Sequence, residues 1–460
     1  MDAFNSGDTA WMLASTALVL LMTPGLAFFY GGMVRSKSVL NMMMMSFSAI
    51  GLVGVLWVFY GYSMSFGNDV GGGLLGNPFQ HFGLSGLFVG QYLSTAGAVS
   101  FPLVGSIPAL VYVAFQATFA IITVALISGA IADRMRFGAW MVFAGLWATI
   151  VYFPVAHWVF AFDGVTAQTG GWIANTVKAI DFAGGTAVHI NAGAAALALA
   201  LVLGRRLGWP REPMRPHNLT LVMLGAGLLW FGWFGFNAGS AGAANGTAGF
   251  ALMNTLAATC AAMLAWIAVE RVRDGRPTSL GAASGVVAGL VAITPSCSSV
   301  SPLGALAVGV IAGVLCALAV GLKFRFGYDD SLDVVGVHLV GGLTGTLLIG
   351  FFADPSSPAA VAGLFYGGGV DQLWRQAVGA FAVMIYSFVV SLILASIIKA
   401  FMSLRVTPED ESTGIDETEH AETGYDFSSH RGLSGLGSAR PDAATNSVAE
   451  HVSAAAGKEG

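Results

Sequence analysis

Runs without a single charged residue alternate along this chain with short segments rich in arginine, glycine and proline. A helix rises 1.5 Å per residue, so about 20 apolar residues cross the ~30 Å hydrocarbon core of a bilayer. Residues 9–34 form the first such run and residues 38–68 the second. After an external loop rich in glycine (Gly71-Gly72-Gly73), residues 106–130, 137–160 and 184–204 supply three more. The uncharged stretch 216–269 is too long for one span and breaks at "NAGSAGAANG"; 278–322 breaks likewise at "TPSCSSVSP". With 334–353 and 376–398 the pattern predicts eleven transmembrane helices.

Asp2 and Asp8 precede the first run, and no basic region stands before it, so it reads as a retained first span rather than a signal peptide. Direction follows from the basic residues. With the N-terminus outside, the inner loops hold Arg35, Lys37, Arg134, Arg136, Arg205, Arg206, Arg211, Arg215, Arg271, Arg273, Arg276, Lys323 and Arg325. Only Lys178 and Arg375 fall outside. Thirteen against two predicts N-out, C-in.

Composition agrees with the pattern. The 460 residues are 55% hydrophobic and 10% charged, where a soluble domain carries about 25% charge. Sixty-two glycines suit helices that approach closely in lipid. Cys260, Cys297 and Cys316 all lie in apolar segments without metal-ligand spacing, so they read as core residues. Beyond Arg405 the character changes. Residues 1–404 form the membrane domain, 405–427 an acidic cytoplasmic tail, and 428–460 an extension whose composition reads as disordered.

Two apolar segments carry an ionisable ring. "VHINAGAAALALALVLG" (188–204) and "VHLVGGLTGTLLIG" (337–350) both set Val-His before small residues and an aliphatic run, with Asp181 or Asp333 upstream. If helices one to five and six to ten are repeats, the odd number of spans inverts one against the other. Substrate paths of such folds lie at the repeat interface. His189 and His338 then face each other across the pseudo-two-fold axis, whereas His157 and His217 have no counterpart and read as packing residues. In a dry lumen two neutral imidazoles share a proton and still offer a donor and an acceptor to a small polar guest. No phosphate loop, nucleophile–base pair or redox motif appears. The chain therefore reads as neither an enzyme nor a nucleic-acid binder, and it calls for no cofactor or metal.

Five motifs in order carry a resemblance: "TPGLAFFYGGMVRSK" (23–37), "VAFQATFAIITVALISGAIADRMRF" (113–137), "DFAGGTAVHINAG" (181–193), "GWFGFNAGSAGAAN" (232–245) and "DDSLDVVGVHLVGG" (329–342). Together they resemble the ammonium transporter (Amt/Mep/Rh) family, and the tail "GIDETEHAETGYDF" (414–427) points to the bacterial Amt type. The resemblance implies an all-α membrane protein with an inverted 5+5 helix repeat plus a final helix. It also implies a homotrimer with one pore per subunit, and a PII-type signal protein as cytoplasmic partner.

Residue by residue, the resemblance makes His189 and His338 the pore pair. It makes Phe119 and Phe236 a stacked gate, and Phe115 and Ser240 an outer recruitment site for the cation. Asp181 corresponds to an aspartate near that site and is equally an N-cap of the fifth helix. The family's usual tryptophan at the mouth falls on Phe160 in "PVAHWVFAFDG" (154–164), with Trp158 two residues earlier pointing elsewhere. The implied function is conduction of ammonium or ammonia, with methylammonium as analogue, across the inner (cytoplasmic) membrane. An ammonium sensor with little conduction is the alternative.

Overall fold

The computed structural model describes residues 4–88, 91–93 and 98–425. Its long helices start where the sequence supplies a cap. Asn5 caps α1 (Ser6–Met33), Asn218 caps α6 (Leu219–Gly239) and Asn245 caps α7 (Gly246–Arg273). Thr278 caps α8 (Ser279–Ile293) and Ser301 caps α9 (Pro302–Phe326). In each case a side-chain oxygen accepts from a backbone N–H of the first turn, which has no partner within the helix. The others are α2 (Ser36–Phe66), α3 (Ala109–Ile131), α4 (Phe137–Phe160), α5 (Gly185–Leu203), α10 (Val335–Phe352) and α11 (Asp371–Phe401).

All of these but α8 are long and apolar enough to cross a membrane, ten helices among the described residues. Helix α8 stands where the sequence predicts a span, yet it has only 15 residues. It is followed by a non-helical stretch, 294–300, that is wholly buried. Irregular backbone at membrane depth is tolerated when protein groups satisfy it. Here Asn254 Nδ2 donates to Cys297 O and Val300 O, while Phe182 N donates to Pro295 O.

Between α2 and α3 the chain makes two small antiparallel hairpins, β1 (Gln91–Leu93) with β2 (Ala98–Ser100) and β3 (Leu103–Val104) with β4 (Ile107–Pro108). At the opposite end of the bundle, Arg206 sits buried between two carboxylates. Its guanidinium lies 2.9 Å from Asp329 Oδ1 and 3.2 Å from Asp133 Oδ2. Burial alone would raise the Asp329 pKa, but hydrogen bonds and charge from Arg206 hold it below the ordinary carboxylate value. Arg134, also fully buried, donates to Gly204 O, Asp329 O and Ser331 Oγ, and so ties three loops together.

The acidic segment after α11 folds into two short helices, α12 (Pro408–Thr413) and α13 (Ile415–His420), within the compact unit Met1–Glu422. The sequence suggests attraction between an acidic tail and basic loops, but most of the contacts are of another kind. Asp416 accepts from Leu40 N and Asn41 N, and Glu419 accepts from Phe137 N. Phe137 opens α4, and Leu40 and Asn41 lie in the first α-helical turn of α2, after its 3-10 entry Ser36–Ser38, where amide hydrogens suit carboxylates. Among the described residues of the tail, Glu411 alone makes an ion pair, 2.7 Å from Arg405, and it also accepts from Leu207 N. The extension 428–460 lies outside the described residues.

Candidate functional site: a histidine pair beneath an aromatic mouth

Helices α5 and α10 carry the two histidines and begin alike. Asp181 accepts from Gly184 N, Gly185 N, Thr186 N and Ala187 N at 2.6–3.1 Å, and from the Thr186 hydroxyl. Asp330 accepts from Val334 N and Val335 N at 3.1 and 2.7 Å. Each cap lies eight residues before its histidine, His189 or His338. Each helix then opens with a π-helical turn, Gly185–Ile190 or Val335–Leu339. The sequence pattern places Asp333 opposite Asp181, and the structure corrects this. Asp333 is left-handed at φ 64° and lies 2.7 Å from Lys323 Nζ, so its carboxylate faces away from the helix end. The counterpart of Asp181 is Asp330.

The two helices touch through small residues set with the same symmetry. A Cβ on Gly193, four residues after His189, would lie 2.5 Å from Leu339 N. A Cβ on Gly342, four residues after His338, would lie 3.1 Å from Ile190 N. No side chain fits at Gly193, and this close approach brings the rings together. His189 Nδ1 and His338 Nδ1 are 3.2 Å apart, and both rings are buried. One nitrogen must donate and the other accept, so a single proton lies between them. The outer nitrogens then differ, one an acceptor and one a donor. Among the described residues, no group bonds His189 Nε2.

The space beside the rings is narrow, ≈10 Å³, and otherwise apolar, with Leu26, Ile122 and Val287 among its walls. That is about the room one water-sized guest needs. Trp233 stacks on His189 with ring centroids 5.3 Å apart, and its indole N–H is fixed by Thr294 Oγ1 at 2.8 Å. The sequence reading missed Trp233. It lies within "GWFGFN", three residues before Phe236, and that one-turn spacing was the available signal.

Above the histidines Phe119 and Phe236 stack at 4.2 Å and 27°. Phe236 lines the histidine lumen, while Phe119 lines a second cavity of ≈70 Å³ toward the N-terminal end of α1, where Met12 lies. The stacked pair therefore separates the two spaces. Phe115, Phe160 and Ser240 line the outer cavity, and Phe115 meets Phe119 at 4.9 Å. Trp158 is directed elsewhere: its indole donates to Leu74 O, and its ring rests against Trp172 and Tyr386. Asp181 is outside this cavity and borders a neighbouring one of ≈410 Å³. His157 and His217 are both away from the lumen, with Nδ1 on Ser65 O and Val34 O respectively.

Residues 10–425 match the Ammonium Transporter Family. The chain is 69% identical over 438 residues to an ammonium transporter of Mycobacterium tuberculosis strain H37Rv, covering 93% of this chain and 92% of that one. It is 46% identical over 425 residues to an ammonium transporter of Bacillus subtilis, covering 91% and 98%. The structure is similar to that of Saccharomyces cerevisiae Mep2, with a TM-score of 0.79, 34% identity and 88% of each chain covered. It is also similar to a structure described as a sensor Amt protein, with a TM-score of 0.81, 28% identity, and coverage of 90% and 98%.

Proposed function

The chain belongs to the ammonium transporter family, and on that premise we propose that it recruits ammonium outside, strips its proton, and passes ammonia between His189 and His338. The observation that carries this reading is the order of the parts. An aromatic cavity, a phenyl stack and a sealed lumen with one shared proton follow one another.

A cation entering the outer cavity meets the faces of Phe115, Phe119 and Phe160, worth on the order of 0.5–2 kcal/mol in cation–π attraction. Ser240 Oγ, whose own proton goes to Phe236 O at 2.8 Å, replaces one lost water. Below the stack the walls are apolar, and carrying an intact charge across such depth costs at least about 2.5–3.5 kcal/mol. Ammonia avoids that cost. Its lone pair meets the donor nitrogen of the histidine pair, and its N–H groups meet the acceptor. The proton returns outside or is relayed through the pair.

Eleven spans with the N-terminus outside and the C-terminus inside belong to the same proposal, supported by the basic residues of the inner loops and by α8 with its buried extension. So do the inner membrane as location, a homotrimer with one pore per subunit, and PII-type regulation at the cytoplasmic face. Asp181 takes the role of a cap whose negative charge also favours a cation at the mouth. A second reading, ammonium sensing with little conduction, draws on the likeness to the sensor Amt protein.

Electrophysiology on reconstituted protein given ammonium pulses at several pH values separates these readings. Conduction with relay of the proton gives a protein-dependent current that saturates with ammonium, and conduction of neutral ammonia gives protein-dependent methylammonium uptake without current. A sensor gives binding with negligible flux, and that result would remove the transport proposal.

A further inference from the structure

The outer cavity is walled by phenyl rings, and three of its lining side chains bring hydrogen-bonding atoms to it: Ser240, Gln116 and Tyr112. The Ser240 hydroxyl proton is committed to Phe236 O, so toward a guest its oxygen can act only as an acceptor. Gln116 gives one of its two amide hydrogens to protein. Its amide nitrogen donates to the Tyr112 hydroxyl at 3.2 Å, one turn earlier on α3. Among the described residues no group bonds its Oε1. Each side chain gives a hydrogen to protein and keeps an oxygen that can accept from a guest.

We infer that Gln116 is a specificity-determining residue of the outer site: its Oε1 accepts an N–H of ammonium, with Ser240 Oγ accepting another and Tyr112 holding the amide in place. The inference rests on reading this cavity as the recruitment site. An ion leaving water for a phenyl-lined space keeps favourable electrostatics from the ring faces, but rings accept hydrogen bonds poorly. Two lone-pair oxygens supply what the rings do not. The arrangement selects for hydrogen as well as for charge. Potassium carries the same charge without N–H groups, and two oxygens are too few to replace its hydration shell. The volume of ≈70 Å³ admits a few water-sized guests. An ammonium ion can therefore enter with part of its hydration.

The test measures the half-saturating concentration and maximal rate of ammonium and methylammonium transport for the intact protein, Gln116→Leu, Gln116→Glu, Tyr112→Phe and Ser240→Ala. Elution profile and melting temperature check the fold of each variant. Loss of one neutral hydrogen bond predicts a roughly 3- to 10-fold higher half-saturating concentration in Gln116→Leu, with the maximal rate within about twofold. Gln116→Glu keeps an acceptor and adds charge, so its value stays at or below that of the intact protein. Tyr112→Phe unfixes the amide and gives a smaller rise. If Gln116→Leu fails to fold, the Glu and Phe variants decide. An unchanged value in Gln116→Leu beside a raised one in Ser240→Ala overturns the role of Gln116 and leaves the cavity reading standing. Unchanged values in both remove the cavity reading and the inference with it. A Gln116→Glu variant as impaired as Gln116→Leu would also overturn it, because an acceptor at that position would then bring no benefit.

Discussion

Gly193 lies against the backbone of Leu339, so closely that a methyl group there would come within 2.5 Å of the Leu339 nitrogen. Leu339 follows His338 directly, and Gly193 is one turn beyond His189. The separation of the two rings is therefore set by backbone contact rather than by side-chain packing. Gly193→Ala must push α5 from α10. Overpacking of this kind costs about 1–3 kcal/mol, and the 3.2 Å contact between the rings opens with it. We expect a lower melting temperature in detergent and methylammonium uptake reduced about tenfold or more. Normal uptake with normal melting would show that the ring separation does not matter.

Asp181 and Asp330 are positioning residues for the histidine helices. Asp181→Ala strands four backbone amides and one hydroxyl that the carboxylate now satisfies. The expected destabilisation is about 1–3 kcal/mol, with transport lost in parallel. Asp181→Asn keeps one acceptor oxygen and falls between the two. The Asp330→Ala variant follows the same course through α10. Melting curves read beside uptake check the correlation.

At the mouth, Phe160 borders the outer cavity while Trp158 is held by Leu74 O, Trp172 and Tyr386. Indole is a stronger cation–π partner than phenyl. Phe160→Trp should therefore strengthen capture by a few tenths to about 1 kcal/mol, seen as a lower half-saturating concentration. Trp158→Ala should lower stability and leave capture unchanged. The reverse pattern would exchange the two residues.

The inner ion pair makes stability depend on acid. Arg206 holds Asp329 below its ordinary pKa in the folded protein; unfolded, the group returns to about 3.9. A depressed carboxylate contributes stability that is fully present above the unfolded value and is lost as pH falls through the folded one. Melting temperature should thus drop as pH is lowered below about 4. Asp329→Asn removes this acid-dependent part. At neutral pH it costs about 3–5 kcal/mol, because Arg206 is left buried with only Asp133.

The tail prediction follows from which amides its carboxylates reach. Removing residues 428–460 should leave transport nearly intact. Removing everything from Thr407 takes the carboxylates of Asp416 and Glu419 away from the amides of Leu40, Asn41 and Phe137, near the starts of α2 and α4. That truncation should impair transport or its regulation in a methylammonium uptake assay. Equal behaviour of the two would deny the tail any division of labour.

How far the sequence led depends on the kind of contact involved. Spans were legible because charge is excluded from lipid-exposed helices, so their limits are written in the positions of arginine and lysine. The histidine pair was legible because two short elements share a pattern, His189 with Gly193 and His338 with Gly342. Asp330 was not, because Asp333 stands nearer to His338, and only backbone geometry tells a cap from an ion-pair partner. Trp233 reads as one more apolar residue of α6 until its ring is seen on His189. The docking of the tail through Asp416 and Glu419 depends on where α2 and α4 begin in space, which no charge count conveys. The shortness of α8 was hidden in the same way, since its buried continuation is as uncharged as a helix.

The two histidines carry the proposed conduction path. Protein-dependent responses to ammonium pulses, and to potassium pulses as a control, can be compared in proteoliposomes bearing the intact chain, His189→Ala or His338→Ala, each first shown to be folded. The paired site predicts that either substitution lowers the ammonium response about tenfold or more, or admits potassium. Two folded single variants with the intact protein's ammonium response and no potassium response would contradict it.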